Sequence, residues 1–256
     1  MNMPLEPIDN LRRERAALAD MLSTEFTDLA ALWAALNKGE LQIVDNFFTT
    51  ERCFLVLESS PARTPLQPRQ RLILERILCG DCQNAIAIEL DLAPSTVALH
   101  AREAMKLVGV TGKPSRCHPL LMAAALAART EDEPRVGRSS SMAEGQRSFC
   151  VISIRRPDRE LSALLPPAEQ NIVSCLLEGL CYLDICERRG TAMRTVANQI
   201  ATIFRRFHVS GRNELVCLLL QGGRPHGPPI TPSSTPAPAP IPAMSFSAPS
   251  PPVSCH

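Results

Sequence analysis

Between Leu11 and Asn37, apolar side chains return every three or four residues: Leu18, Met21, Leu22, Phe26, Leu29, Leu32, Trp33 and Leu36. That spacing places them along one helical face. Ser23-Thr24 predicts a break into two helices, and Gly39 predicts the end of the second. Leu41 to Phe48 and Cys53 to Leu57 are runs of strand length, and Thr49-Thr50-Glu51-Arg52 between them predicts a hairpin. A third strand-like run covers Phe149 to Ile154. A lone hairpin is marginal in water, so the three strands are expected in one small sheet that joins the halves of the chain.

Beyond residue 60 the helical period dominates, and it occurs twice. The segment Leu66 to Gly80 can be laid on Leu165 to Gly179 at an offset of 99 residues. The alignment runs without gaps through Ile86/Ile185, Thr96-Val97/Thr195-Val196 and Val110/Val209. In the second copy Pro166-Pro167 opens a helix at its first turn. Ile172, Val173, Leu176 and Leu177 line its buried face, and Gly179 ends it. A short helix follows from Tyr182 to Arg188, Gly190 makes a turn, and a longer helix carries Val196, Ile200, Ile203 and Phe207 inward. The first copy reads the same way: Pro68 to Leu78, Asn84 to Leu90, a turn at Asp91 to Pro94, then Ser95 to Val108. Two helices joined by a tight turn, the second longer, make a helix-turn-helix. Each copy is followed by another apolar helix, Pro119 to Ala128 and Glu214 to Leu220.

Both copies resemble the LuxR-type (NarL/FixJ-type) helix-turn-helix domain of bacterial transcription regulators. The first keeps Leu66, Arg69, Gly80, Ile86-Ala87, Leu90, Ser95-Thr96-Val97, His100, Lys106 and Gly109-Val110. The second keeps Leu165, Glu169, Gly179-Leu180, Ile185, Gly190, Thr195-Val196, Asn198, Ile203, Arg205-Arg206 and Val209. Its Ser210 to Leu215 resembles the family's link into a fourth helix. The resemblance covers just under half of the chain. Both copies depart from the family at the residue after Thr-Val, where a lysine is usual and Ala98 and Ala197 stand. The Asn-Lys-Glu of the second helix is replaced by Gln83-Asn84-Ala85 and by Tyr182-Leu183-Asp184.

The resemblance implies a mainly α fold of two tetrahelical LuxR-like helix-turn-helix domains, to which the strand-like runs add a small accessory β-sheet and the composition of the last residues a disordered Pro-rich tail. The expected divisions are 1–60 (helices and hairpin), 64–129 (first domain), 130–148 (linker), 149–164 (strand and lead-in), 165–220 (second domain) and 221–256 (tail). The linker rests on the soft stretch Glu131 to Gln146, with three serines at 139–141. The tail holds 11 of the 23 prolines and has no amphipathic period. Ten aromatic residues in 256 also disfavour an all-β fold.

Charge sharpens the functional expectation. A net charge of +1 from 27 basic and 26 acidic residues points by itself to neither nucleic acid nor membrane. Residues 1–60 carry −5 and residues 61–256 carry +6, so the balance is a cancellation. From Arg188 to Arg206 there are five arginines and no acid; the matching window from Glu89 to Leu107 carries −1. Phosphate neutralisation supplies most nonspecific affinity for DNA, which makes the second copy the stronger DNA-binding candidate. There Arg194, Asn198 and Gln199 are expected at base edges, since Arg suits guanine and Asn and Gln suit adenine. Thr195 and Arg205 are expected at phosphates, with Val196 and Arg206 in the same helix. In the first copy the equivalent candidates are Thr96, Val97, His100, Arg102 and Lys106.

Double-stranded DNA is therefore the expected partner, with RNA polymerase or another regulator as the alternative for an interaction module. The apolar fourth helices suggest an intramolecular pseudo-dimer, Leu120, Leu121, Met122 and Leu126 facing Leu215, Val216, Leu219 and Leu220; a homodimer is the other form the family offers. No catalysis, cofactor or metal is expected. Cys79-Gly-Asp-Cys82 and the group Cys175, Cys181, Cys186 lack the partners a zinc site needs. No phosphate loop, nucleophile elbow or paired-carboxylate motif is visible. No apolar run reaches membrane-spanning length, and the charged start, Met1 to Arg15, lacks a signal-peptide core, so a cytoplasmic protein without membrane contact is expected.

Overall fold

A computed structural model describes residues 7–59, 64–130 and 135–223. In chain order these form α1 (Pro7–Leu22), β1 (Glu25–Asp28), α2 (Leu29–Lys38), β2 (Leu41–Phe48), β3 (Arg52–Ser59), α3 (Pro68–Leu78), α4 (Gln83–Glu89), α5 (Pro94–Leu107), α6 (Pro119–Arg129), β4 (Val136–Glu144), β5 (Arg147–Arg155), α7 (Pro167–Leu177), α8 (Tyr182–Arg189), α9 (Met193–Phe207) and α10 (Arg212–Leu220). The protein is mainly helical. No helix among the described residues is long and apolar enough to cross a membrane.

The strands form one antiparallel sheet in the order β1-β4-β5-β3-β2. The hairpin of β2 and β3 lies where the two apolar runs placed it. Two strands lie where the sequence predicted none. Between Ser23 and Leu29 a four-residue strand, β1, interrupts the helical period, and Asp28 caps α2 by accepting from the Ala30 amide at 3.0 Å. Phe26, which fits the helical spacing, is exposed. The expected linker 130–148 is corrected too: apart from residues 131–134, which lie outside the description, most of it is β4. β4 has few apolar side chains and is held through its backbone, paired on both sides, to β1 and to β5. Gly145-Gln146 closes the β4–β5 hairpin, with Gly145 at φ +61 as the first central residue of a primed turn. The tail expected at 221–256 is described only at 221–223, a turn after α10.

The sheet is covered on both faces. On one, Phe54, Val56, Phe149, Val151, Met142 and Phe47 pack with Ala16 of α1. On the other, Leu55, Leu57 and Ile152 join α2, α6 and the C-terminal helices in the largest core. Buried on both faces, β3 is apolar from Cys53 to Leu57 without alternation. α6 is enclosed all round: every residue from Pro119 to Ala127 is buried, as a helix apolar on all sides must be. It packs against α2, α3, β3 and α10.

Relations at the offset of 99 run through the backbone. Shifted by 99, α3 falls on α7 end for end, and α4 and α5 fall on α8 and α9 to within a residue. In the β3–β5 ladder Phe54 pairs with Ser153, its own mate at that offset. The pair Cys53–Ile154 shifts onto Ile152–Leu55, which is also a pair, so the ladder is related to itself by a two-fold exchange. Left-handed backbone positions recur as well: Gly80 and Gly179 (φ +97 and +78), Asp91 and Gly190 (+51 and +60), Gly109 and His208 (+91 and +53). Asp91 and His208 are the two non-glycine residues with positive φ among those described, and each is the mate of a glycine.

α1 is anchored over the sheet by a buried acid. Asp20 has no solvent exposure; it lies 3.2 Å from the Arg52 guanidinium and 3.6 Å from that of Arg138, and accepts from the Ser153 hydroxyl. Removing the carboxylate strands two cations against the sheet. Asp20→Ala is expected to cost about 2–4 kcal/mol, less than for a fully buried pair because both arginines reach solvent, read as a lowered midpoint of urea unfolding.

His118 sets a pH dependence. Its Nδ1 accepts from the Leu120 amide at 3.3 Å as the cap of α6, and its ring lies 4.7 Å from that of Phe48. Burial pushes its pKa down from 6.5 to about 3. The folded state therefore holds His118 neutral while the unfolded chain takes up a proton below about pH 6.5. This contribution is present above that pH and is lost as pH falls toward 3. Unfolding free energy should drop between pH 6.5 and 5 with a slope of up to about 1.4 kcal/mol per pH unit, and His118→Gln should flatten that slope.

Candidate nucleic-acid interface

α9 is amphipathic. Val196, Ile200, Ile203 and Phe207 point into the core, and Arg194, Thr195, Asn198 and Arg205 are exposed on the opposite side. Its start is set by the left-handed Gly190, whose amide closes on Glu187 at the end of α8. In α5 the buried positions are Val97, Ala101, Ala104 and Met105. Leu99, Arg102 and Lys106 are exposed, with Thr96 and His100 half-buried beside them.

Three sequence-predicted residues are not surface positions. Val97 and Val196 are fully buried, so the Thr-Val pair in each copy presents only its threonine. Arg206 is also buried, bound to Glu169 of α7 at 2.8 Å, and it ties α9 to α7. The periodicity held this information for Arg206, which lies three residues after Ile203 on the inward face.

The charge contrast between the copies is smaller than the sequence windows indicate. Arg188 pairs with Glu178, the cap residue after α7, at 2.6 Å, and Arg206 with Glu169 of α7, both acids lying outside the window. That leaves a local +3 around α9 from Arg189, Arg194 and Arg205. Arg189 donates to Gln199 Oε1 at 2.8 Å, and Arg205 to the Thr202 hydroxyl at 3.2 Å. Gln199 is thus part-occupied, with its amide nitrogen left to donate. Arg194 has no acidic partner among the described residues. Around α5 the acid Glu89 is held by Arg76, but Asp81 shares the same guanidinium, so that window keeps its −1. Glu103 accepts from Gln70 at 3.2 Å and lies 3.9 Å from His100 Nδ1.

The two helix sets meet at the start of α10. Arg212 donates through Nη2 to the carbonyls of Cys117 (2.8 Å) and Leu177 (3.1 Å), through Nη1 to that of Ser115 (3.3 Å), and through Nε to Leu176. Asn213 Nδ2 donates to Ile77 and Pro114 carbonyls, both at 3.1 Å, and Cys217 Sγ to that of Leu78 at 3.1 Å. Residues 77 and 78 are the mates of 176 and 177, so the last turns of α3 and α7 are gripped at the same places. Gly80 and Gly179 allow the approach: a Cβ there would sit 3.2 Å from Glu214 Cα and 3.3 Å from the Arg116 carbonyl. Arg212 lies in the Ser210 to Leu215 link, where no role was expected of it. Its signal was a cation in the first turn of a helix, where the dipole disfavours one unless something else holds it.

A cleft of about 1100 Å³ lies between the β2–β3 turn, α1 and α7. Its arginines are neutralised in place: Arg13 by Asp45, Arg156 by Asp158 and Glu178, Arg159 by Glu51. It offers no uncompensated charge to an anion. No cluster that could hold a metal occurs among the described residues.

Residues 64–118, which span α3 to α5 and end at the cap of α6, match the profile of bacterial regulatory proteins of the luxR family. The helix-turn-helix of α3–α5 is of the LuxR type. The match covers none of α7–α10. Two curated relatives, each named a probable transcriptional regulatory protein NarL, from Mycobacterium tuberculosis strains CDC 1551 / Oshkosh and ATCC 25618 / H37Rv, are each 40% identical to this chain over 55 residues. That stretch is 22% of this chain and 26% of either relative, so the chain spans about a quarter of their length. No solved structure matches.

The Arg212 contacts can be tested without DNA. Burial lowers its pKa to about 10, so it stays charged at neutral pH and its carbonyl partners carry the cost of enclosing it. Arg212→Ala should lower stability by about 2–4 kcal/mol in denaturant. Arg212→Lys should recover little of this, because an ammonium cannot fork across carbonyls on two segments.

Proposed function

We propose that this chain is a transcription regulator that binds double-stranded DNA through two LuxR-type helix-turn-helix units, 64–129 and 165–220, joined as an intramolecular pseudo-dimer. The LuxR-type match over α3–α5 carries the reading. The second unit is supported by the helix bounds, ladder register and left-handed positions that recur at 99 residues. The pseudo-dimer is supported by the packing of α6 on α10 and by the matched grip of Arg212, Asn213 and Cys217 on α3 and α7.

In this reading α5 and α9 enter the major groove. Arg194 and Asn198 read bases, Gln199 assists through its free amide nitrogen, and Thr195 and Arg205 contact phosphate; Thr96, His100, Arg102 and Lys106 act in the first unit. Val97, Val196 and Arg206 hold the helices in place. The role needs no catalysis, cofactor or metal.

A second reading, a module that sequesters another regulator or a polymerase factor, draws on Leu99 and Ile88, large apolar side chains exposed on the first unit. A salt titration of DNA affinity separates the two. A DNA binder loses affinity steeply with salt, by a logarithmic slope of about 0.9 per phosphate neutralised. Arg205→Ala should reduce the slope by about one, and Arg194→Ala should cost roughly tenfold in specific affinity. Absence of binding to genomic fragments at low salt would favour the interaction module.

A further inference from the structure

We propose that the DNA site is built of two unlike half-sites rather than an inverted repeat, an inference that rests on the DNA-binding reading above. Helix bounds and left-handed turn positions that recur at 99 residues make α5 and α9 counterparts within their own units, and the proposal takes each into one half-site. The side chains they offer are not equivalent.

Both exposed stripes follow the same i, i+4, i+7 spacing, from Ser95 in α5 and from Arg194 in α9. A threonine stands beside the first position of each, Thr96 and Thr195, suited to a sequence-neutral phosphate contact. The base-reading places then diverge. Arg194 in α9 stands where α5 has Ser95, so only the second helix brings a guanidinium to its N-terminal turn. One turn on, Asn198 stands where α5 has Leu99; the asparagine suits adenine, while the half-exposed leucine suits a thymine methyl and leaves polar edges unmatched. Further along, Arg102 stands where α9 has Ala201, so the arginine of α5 reaches a guanine from about two turns deeper along the helix. A guanine-reading arginine at opposite ends of the two stripes cannot be served by one sequence repeated in inverse.

In a two-chain dimer any such divergence would appear in both halves at once, and symmetry would be restored. In one chain it persists. The site should therefore contain a half-site whose guanine and adenine contacts come from Arg194 and Asn198, and a different half-site set by Leu99 and Arg102. Their centres should lie about one helical turn apart.

Selection of the full chain against randomised duplexes tests this. The expected optimum has two dissimilar halves, and an inverted repeat of either half binds at least about tenfold more weakly. Arg194→Ala with Asn198→Ala should erase preference in one half alone, and Leu99→Ala with Arg102→Ala in the other. The triple exchange Ser95→Arg, Leu99→Asn, Arg102→Ala, all at exposed positions, should move the optimum toward an inverted repeat of the α9 half. An inverted repeat selected by the native chain, or a single half-site that the α5 changes leave untouched, would overturn the inference. Failure to bind any duplex even at low salt would instead overturn the DNA-binding reading and this inference with it.

Discussion

The antiparallel pairing of β3 with β5 is the contact on which the rest of the molecule depends. It joins the two hairpins into one sheet, buries Leu55, Leu57 and Ile152 against α2 and α6, and gives α1 a floor for Phe54, Val56 and Val151. Its register is also restrictive. A slip of one residue would exchange the side chains that β3 gives to its two differently packed buried faces, and a slip of two would move the Phe54–Ser153 pair off the two-fold exchange. Ser153 is also where Asp20 lands from α1, so the polar anchor of the N-terminal helix sits at the centre of the ladder.

Around this centre the halves are alike in backbone and unlike in detail. Gly109 and His208 both take left-handed φ, yet only Gly109 is pressed against a strand: a Cβ there would fall 2.1 Å from the Ile43 carbonyl. The first unit is thus locked edge-on to β2, and glycine is obligatory. In the second unit the mate needs only the φ, which a histidine supplies at modest strain. The second unit is held instead by charge: Arg156, just after β5, binds Ser174 of α7, Glu178 at its cap and the Thr49 carbonyl of the hairpin turn. One unit is docked by close backbone packing, the other by a hydrogen-bonded arginine.

Much of this was legible in the sequence, for reasons that can be named. The helix-turn-helix elements could be read because a 3.6-residue period, a proline at the start and a left-handed terminator all coincide. The hairpin of β2 and β3 could be read from its apolar runs. β4 could not, because its stability lies in backbone pairing on two sides, and a serine run carries no trace of that. β1 was hidden by Phe26, which keeps the helical spacing while facing solvent. At the candidate interface the stripes of α5 and α9 followed from amphipathic spacing, but the net charge of each did not. Glu169 and Glu178 neutralise arginines across a helix–helix contact, and a window along the chain cannot see across space. Arg212 was obscured for the same reason, since its partners are backbone carbonyls, which every sequence has.

Tethering two recognition units in one chain, as proposed, has an energetic consequence beyond convenience. Once one unit is seated, the second meets its half-site at an effective concentration in the millimolar range or above, without the entropy of recruiting another molecule. Each unit can then be individually weak, and the near-neutral face of α5 fits that role better than the role of an independent binder. The rigidity of the link decides how much of this advantage is realised. A flexible tether would spread the second unit over many positions, whereas Arg212 and Asn213 fix α3 and α7 through hydrogen bonds on both sides of one junction. On that proposal the enclosed guanidinium, costly to desolvate, is what converts two linked units into one reading head.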